Sequence, residues 1–81
     1  MRIDRPSLAV AVALLQSGDW KAAHAIVQED EASALACWAH GIVHLLEGDT
    51  ANARYWYKKA GRPFGEDVPK EIAALSAAVE R

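Results

Sequence analysis

The chain has 81 residues, which is enough for one small domain but too few for a second hydrophobic core. Apolar residues make up 52% of it, which excludes a disordered tail, and a formal charge of −2 argues against general affinity for nucleic-acid phosphates. Seventeen alanines and only three prolines are typical of an all-α protein. Because a domain of this size is marginally stable alone, we expect it to depend on a partner or on self-association.

Two helices are predicted in the first part of the chain. The first begins at Asp4, an N-cap that precedes Pro6 in the first turn, and it ends at Gly18. The second runs from Trp20 to about Gln28. Its inward face carries Trp20, Ala23 and Val27 at spacings of three and four.

Three more helices are predicted after these two. The third covers about 31–47, the fourth follows Gly48-Asp49 and ends at about Ala60, and the last covers about 68–80. The last helix has one apolar stripe, so it is suited to cover the open end of a helical stack. The third helix has an apolar stripe made of Leu35, Trp38, Ile42, Leu45 and Leu46.

Two segments repeat each other thirty residues apart, GDWKAA at 18–23 and GDTANA at 48–53. The flanking apolar residues keep the same register, since Val12 matches Ile42 and Leu15 matches Leu45. A repeat of this length is typical of stacked helical hairpins, each of which buries its apolar face against its neighbour. We therefore predict one all-α domain, 1–81, with hairpins at about 4–28 and 31–60 and a capping helix at about 68–80.

The second unit resembles the second half of a tetratricopeptide repeat (TPR). That family has a small residue at the hairpin turn and then alanine, an aromatic residue, alanine and proline at set spacings. Here these positions hold Gly48, Ala53, Tyr57, Ala60 and Pro63. The Trp56-Tyr57 pair before Lys59-Ala60 also resembles the Sel1-like relatives of this family.

The resemblance covers 34–63 well and 4–33 loosely. The repeat spacing is thirty rather than about thirty-four, and Asp30 stands where the family has alanine. The resemblance implies a right-handed stack with a protein–protein interaction or scaffolding role, as an adaptor or a homodimer, and no chemistry of its own.

In such repeats the first helix of each hairpin lines the concave face. Two hairpins cannot enclose both apolar stripes, so we expect part of this surface to remain exposed and to bind a protein or peptide partner, or a second copy of the chain. The residues of this predicted partner-binding surface are Leu8, Val12, Leu35, Trp38 and Ile42.

Cys37, His40 and His44 are a candidate metal site, because spacings of three and four place them along one helical face. Three such ligands would hold zinc with an open fourth position. The alternative is a buried cysteine with histidines that bond locally, and only Glu47 is spaced to orient an imidazole. We favour the alternative, so the prediction is that no metal or cofactor is bound.

Aromatic and basic residues interleave at 54–62, as they do in some proteins that bind single-stranded nucleic acid. Trp56 and Tyr57 fall on the inward face, however, and the cations then form a solvated outer face. No serine lies in a glycine-rich elbow. Cys37 lies one turn before His40, but a catalytic pair needs an exposed thiolate, and a repeat-core helix is a poor place for one. We therefore expect neither nucleic-acid binding nor enzymatic activity.

Cys37 is the only cysteine, so no internal disulfide can form and nothing indicates an oxidising compartment. The short apolar run Leu8–Leu15 is similar to a signal-peptide core, but Asp4 precedes it where basic residues belong. No apolar stretch approaches the eighteen residues of a membrane span. We expect a cytoplasmic protein that does not enter a membrane.

Overall fold

The protein consists of five α-helices, which confirms the predicted all-α class. A computed structural model describes residues 3–81, and no strand is present in that range. The helices are α1 (Arg5–Gln16), α2 (Trp20–Val27), α3 (Ala34–Glu47), α4 (Thr50–Ala60) and α5 (Val68–Glu80).

The repeated Gly-Asp pair has the same structure in both places. Gly18 and Gly48 have φ angles of +84° and +88°, a left-handed conformation that ends a helix and that glycine adopts without strain. The carboxylates of Asp19 and Asp49 each accept a hydrogen bond from the backbone N–H three residues on, at 3.2 Å. An aspartate N-cap of this kind stabilises a helix by about 1 kcal/mol. The repeat in sequence is thus a repeated stop-and-start signal.

The short turns place α1 beside α2 and α3 beside α4, and α2 contacts α3. Helices α3 and α4 are antiparallel. His40 stacks on Trp56 and Gly41 lies against Tyr57, and each of these residues is seven or eight positions from the Gly48-Asp49 turn, so the chain folds back on itself there. The two pairs share one hydrophobic core.

Helix α5 lies against α1 and α3. The Glu71 carboxylate of α5 accepts hydrogen bonds from Trp38 Nε1 at 3.2 Å and from the Tyr57 hydroxyl at 2.7 Å. Burial, together with the bond to Glu71, raises the pKa of Tyr57. One carboxylate thus joins α5 to both helices of the second pair.

Because α5 occupies this position, it covers the surface that the sequence predicts for partner binding. Leu35 remains half-buried, whereas the other four residues of that surface are in the core. Their exposed fractions are 4% for Leu8, 5% for Val12, 2% for Trp38 and 0% for Ile42. The expectation of an exposed stripe is therefore wrong: the chain's own last helix fills the place that a partner would take.

Asp30, which departs from the TPR pattern, organises the connection between α2 and α3. It is fully buried, and its carboxylate accepts hydrogen bonds from the Ala32 and Ser33 backbone N–H groups at 3.0 Å and from the Ser33 hydroxyl at 2.8 Å. It also accepts one from the Ile3 backbone N–H at 3.2 Å, which fixes the start of the described chain. Asp30 thus fixes the turn that leads into α3, whose N-cap residue Ser33 makes no side-chain cap.

No helix within residues 3–81 has both the length and the apolar character needed to cross a bilayer.

Candidate metal centre

Three histidines from two helices converge at the contact between α2 and α3. His24 projects from α2, and His40 and His44 project from successive turns of one face of α3. One side-chain nitrogen from each lies within 4.8 Å of the other two. His40 and His44 are buried, and His24 is half-buried. This group of three imidazoles is called the histidine triad below.

The ring centroids of the histidine triad are 4.9 Å apart for His24 and His40, 5.0 Å for His40 and His44, and 5.5 Å for His24 and His44. In a tetrahedral zinc site with bonds of about 2.0–2.1 Å, the ligating nitrogens are separated by about 3.3 Å. The three nitrogens, now within 4.8 Å of one another, would have to approach by up to about 1.5 Å for one ion to contact all of them.

Glu47 orients one member of the triad. Its carboxylate lies 2.8 Å from His44 Nδ1, and the Glu47 side chain is 37% exposed. When Nδ1 of His44 carries the proton and donates a hydrogen bond to the Glu47 carboxylate, Nε2 keeps its lone pair free for a metal ion. A carboxylate–histidine pair of this kind is the usual outer-shell arrangement at zinc sites.

His40 is the most buried member of the histidine triad. Its Nδ1 is buried and has no hydrogen-bond partner among residues 3–81, and its ring stacks on Trp56 with centroids 3.8 Å apart. A buried polar atom without a partner costs about 1–3 kcal/mol. Burial, with help from the nearby His24, His44 and Lys59 charges, lowers the pKa of His40 to about 3. His40 is therefore neutral near pH 7, the state that a metal ligand requires.

The histidine triad opens to solvent through a shallow depression of about 330 Å³. His24 and His44 form part of its wall, and the carboxylates of Glu47 and Asp49 lie at its rim together with Lys21. His24 and His44 are thus accessible from solvent, and a fourth ligand such as water would approach a bound ion from the same side.

Cys37 is not part of this group in residues 3–81, so the less favoured candidate set of Cys37, His40 and His44 does not come together. Seven residues separate Cys37 from His44, which is about 10.5 Å along a helix axis, too far for one ion to contact both. The Cys37 thiol instead donates to the Glu31 carbonyl at 3.4 Å, and burial raises its pKa. Its place is taken by His24.

His24 was not predicted as a ligand, although the sequence holds a signal for it. Trp20, Ala23 and Val27 mark the inward face of α2, and position 24 completes that pattern of three- and four-residue spacings. A histidine on an inward face next to another helix needs a partner there. Which residues it meets depends on how α2 packs on α3, and spacing within one helix does not contain that information.

Comparison with protein-family models, with curated proteins and with solved structures finds no match for this chain. The TPR-like interpretation therefore remains a prediction based on motif residues, and functional arguments depend on the geometry above.

Proposed function

We propose that this protein binds a divalent transition-metal ion, zinc in the first place, through His24, His40 and His44. The single observation that carries the proposal is the convergence of three imidazole nitrogens from two helices. Glu47 on His44 and the unpartnered Nδ1 of buried His40 support it independently.

The chemistry of the ligands indicates the class of ion. Imidazole suits zinc, copper and nickel, whereas calcium and magnesium prefer sites made of oxygen ligands. Three protein ligands would leave one position of a tetrahedral ion open, and the depression lined by His24 and His44 is the side from which a water molecule would reach it. Because His24 belongs to α2 and the other two ligands to α3, a bound ion also ties the first helix pair to the second.

Zinc titration of the untagged protein tests the proposal. In competition with a chromophoric chelator, the parent should bind one equivalent of zinc. His24→Ala should weaken zinc binding by at least about 100-fold, more than the loss of an outer-shell partner, whereas Glu47→Gln should weaken it by about 10–100-fold. Because His24 is only half-buried, its substitution should leave the helical circular dichroism unchanged.

Cys37→Ala is the matched control, because Cys37 lies on the same helix and offers a softer ligand than imidazole. It should keep the full zinc affinity. A parent that binds no zinc, or a His24→Ala variant that binds it as tightly as the parent, would contradict the proposal.

The outer side of α4 favours a second function, that of a small TPR-like adaptor that binds a protein partner or a second copy of the chain. Tyr55 on this helix is 57% exposed, whereas most other large apolar side chains of the described chain pack into the core. Sedimentation velocity at low micromolar concentration tests the self-association form of this function. A dimer that Tyr55→Glu converts to a folded monomer would support it, and a strictly monomeric parent would leave only the form with a separate partner.

A further inference from the structure

We infer that the outer face of α4 binds an acidic segment of a separate partner protein. Tyr55, Lys58 and Lys59 define this face, which is called the α4 face below. The inference rests on the second proposed function and names the chemistry of the partner. It does not depend on metal binding.

The α4 face is one continuous stripe without a covering helix. Among the five helices of the described chain, α3 packs along α4, and α5 reaches α4 through the Glu71–Tyr57 hydrogen bond on its inward side. The opposite side of α4 faces solvent. Spacings of three and four residues align Tyr55 with Lys58 and Lys59, and the three side chains line a shallow depression of about 480 Å³. An aromatic ring beside two cations offers both contact area and charge.

The Tyr55 ring is held in place although it is exposed. Its edge packs on the Trp56 ring with centroids 5.1 Å apart, and Lys59 Nζ lies 5.0 Å from the centroid of the same Trp56 ring. Trp56 in turn stacks on His40 in the core. Ordering this surface on binding therefore costs little side-chain entropy, which is an advantage for an aromatic anchor at an interface.

Charge in this chain is strongly separated. Residues 50–65 hold four of the nine Lys and Arg residues and no acidic residue, so the remainder carries five cations and all eleven acidic residues. Arg54 lies 3.9 Å from Glu66, whereas neither Lys58 nor Lys59 has a carboxylate within 4 Å in residues 3–81. The two lysines are thus available to an external anion, and their field attracts an acidic partner.

A protein segment fits this face better than a nucleic acid does. Only two lysines flank the depression, and a single exposed aromatic residue makes no stacking platform for successive bases. The eleven acidic residues elsewhere would repel a long polyanion. A short acidic segment with apolar residues between its carboxylates matches Tyr55 and the two lysines at once.

A second copy of the chain is a poorer occupant. The chain's own run of three acidic residues, 29–31, is the segment most similar to such a partner. Asp30 in this run is buried and hydrogen-bonded to Ser33, so only two exposed carboxylates remain. Docking of 29–31 on the α4 face would join two different surfaces, and such head-to-tail contacts extend into filaments unless they close into a ring.

Fluorescence anisotropy tests the inference with a fluorescein-labelled heptapeptide library, in which glutamate at four positions alternates with Leu, Phe or Tyr at three. The parent should bind this library, and the same library with glutamine in place of glutamate should bind at least tenfold more weakly. Lys58→Glu combined with Lys59→Glu should abolish binding of the acidic library, and Tyr55→Ala should weaken it several-fold. All three side chains are exposed, so the variants should keep the helical circular dichroism of the parent.

Lys70→Glu combined with Arg81→Glu is the matched control, because it makes the same change in net charge on exposed residues far along the chain from α4. Binding should change less than twofold in this control, and EDTA should leave parent binding unchanged. The inference would be overturned if the control lost as much binding as the lysine variant, or if the glutamine library bound as tightly as the glutamate library. Tighter binding of a twelve-residue oligothymidylate than of the acidic library would also overturn it. If the parent self-associates and the Lys58→Glu, Lys59→Glu variant abolishes this, the inference is overturned but the second proposed function is retained. The second proposed function fails only if neither the peptide library nor a second copy of the chain binds.

Discussion

Asp30→Ala is expected to lower the free energy of unfolding by about 2–4 kcal/mol, because it removes a buried acceptor of four hydrogen bonds. Three of the four donors belong to the Ala32–Ser33 turn at the start of α3, and the fourth is the Ile3 backbone. A domain of this length has a total stability of only about 4–12 kcal/mol. The substitution should therefore remove a large fraction of the native stability. Urea unfolding followed by circular dichroism measures it.

The effect of Asp30 should depend on pH. Burial acts to raise the pKa of this carboxyl, but the hydrogen bonds from Ser33, Ala32 and Ile3 outweigh it and lower the pKa from 3.8 to about 2. A lowered native pKa contributes stability that is complete above the unfolded value of 3.8 and is lost as the pH falls towards 2. The contribution is about 2 kcal/mol, since one pKa unit corresponds to about 1.4 kcal/mol.

The difference in stability between the parent and Asp30→Ala should therefore be constant from about pH 5 to 7 and shrink by about 2 kcal/mol towards pH 2. Glu29→Ala is the control, because Glu29 is exposed and immediately precedes Asp30. It should change stability by less than about 0.5 kcal/mol. A parent–variant difference that stays the same from pH 7 to pH 2 would contradict the role assigned to the Asp30 carboxylate.

Gly41→Ala is expected to destabilise the protein although alanine is the better helix former. An added Cβ at this position would lie 2.5 Å and 2.8 Å from two ring carbons of Tyr57 and 3.4 Å from the Ala53 carbonyl oxygen. The Tyr57 ring cannot move away freely, because its hydroxyl is bonded to Glu71. Overpacking of this kind costs about 1–3 kcal/mol or more, against a gain of about 1 kcal/mol from helix propensity. We expect a net loss of about 1–2 kcal/mol in urea unfolding.

The same substitution in a Tyr57→Val background separates the clash from other effects. Valine lacks the two ring carbons, so Gly41→Ala should there become neutral or stabilising by up to about 1 kcal/mol. If Gly41→Ala lowers the stability equally in both backgrounds, the contact with the Tyr57 ring is not the reason that this position requires glycine.

Local features of the fold could be predicted from the sequence because the chain encodes them locally. The Gly-Asp pairs at 18–19 and 48–49 end one helix and cap the next through contacts within four residues. Glu47 was recognised as the carboxylate spaced to orient an imidazole, and it pairs with His44.

Features that depend on packing between helices could not be predicted in this way. The position of α5 on α1 and α3 buries residues that two hairpins alone would expose, and no periodicity within α5 specifies which helices it contacts. His24, and not Cys37, lies with His40 and His44, and this depends on which helix packs beside α3 at these residues. Asp30, a departure from the repeat pattern, is a buried acceptor whose partners lie in the turn before α3 and at Ile3.

X-ray absorption at the zinc edge of the untagged, zinc-loaded protein tests most directly whether His24, His40 and His44 bind the ion. Three imidazole nitrogens at about 2.0–2.1 Å, with the multiple scattering of the imidazole rings, are expected, together with one oxygen at a similar distance. His24→Ala should lose one imidazole from this pattern, and Cys37→Ala should leave the spectrum unchanged. A sulfur shell at about 2.3 Å, or a zinc ion without imidazole scattering, would contradict the histidine triad.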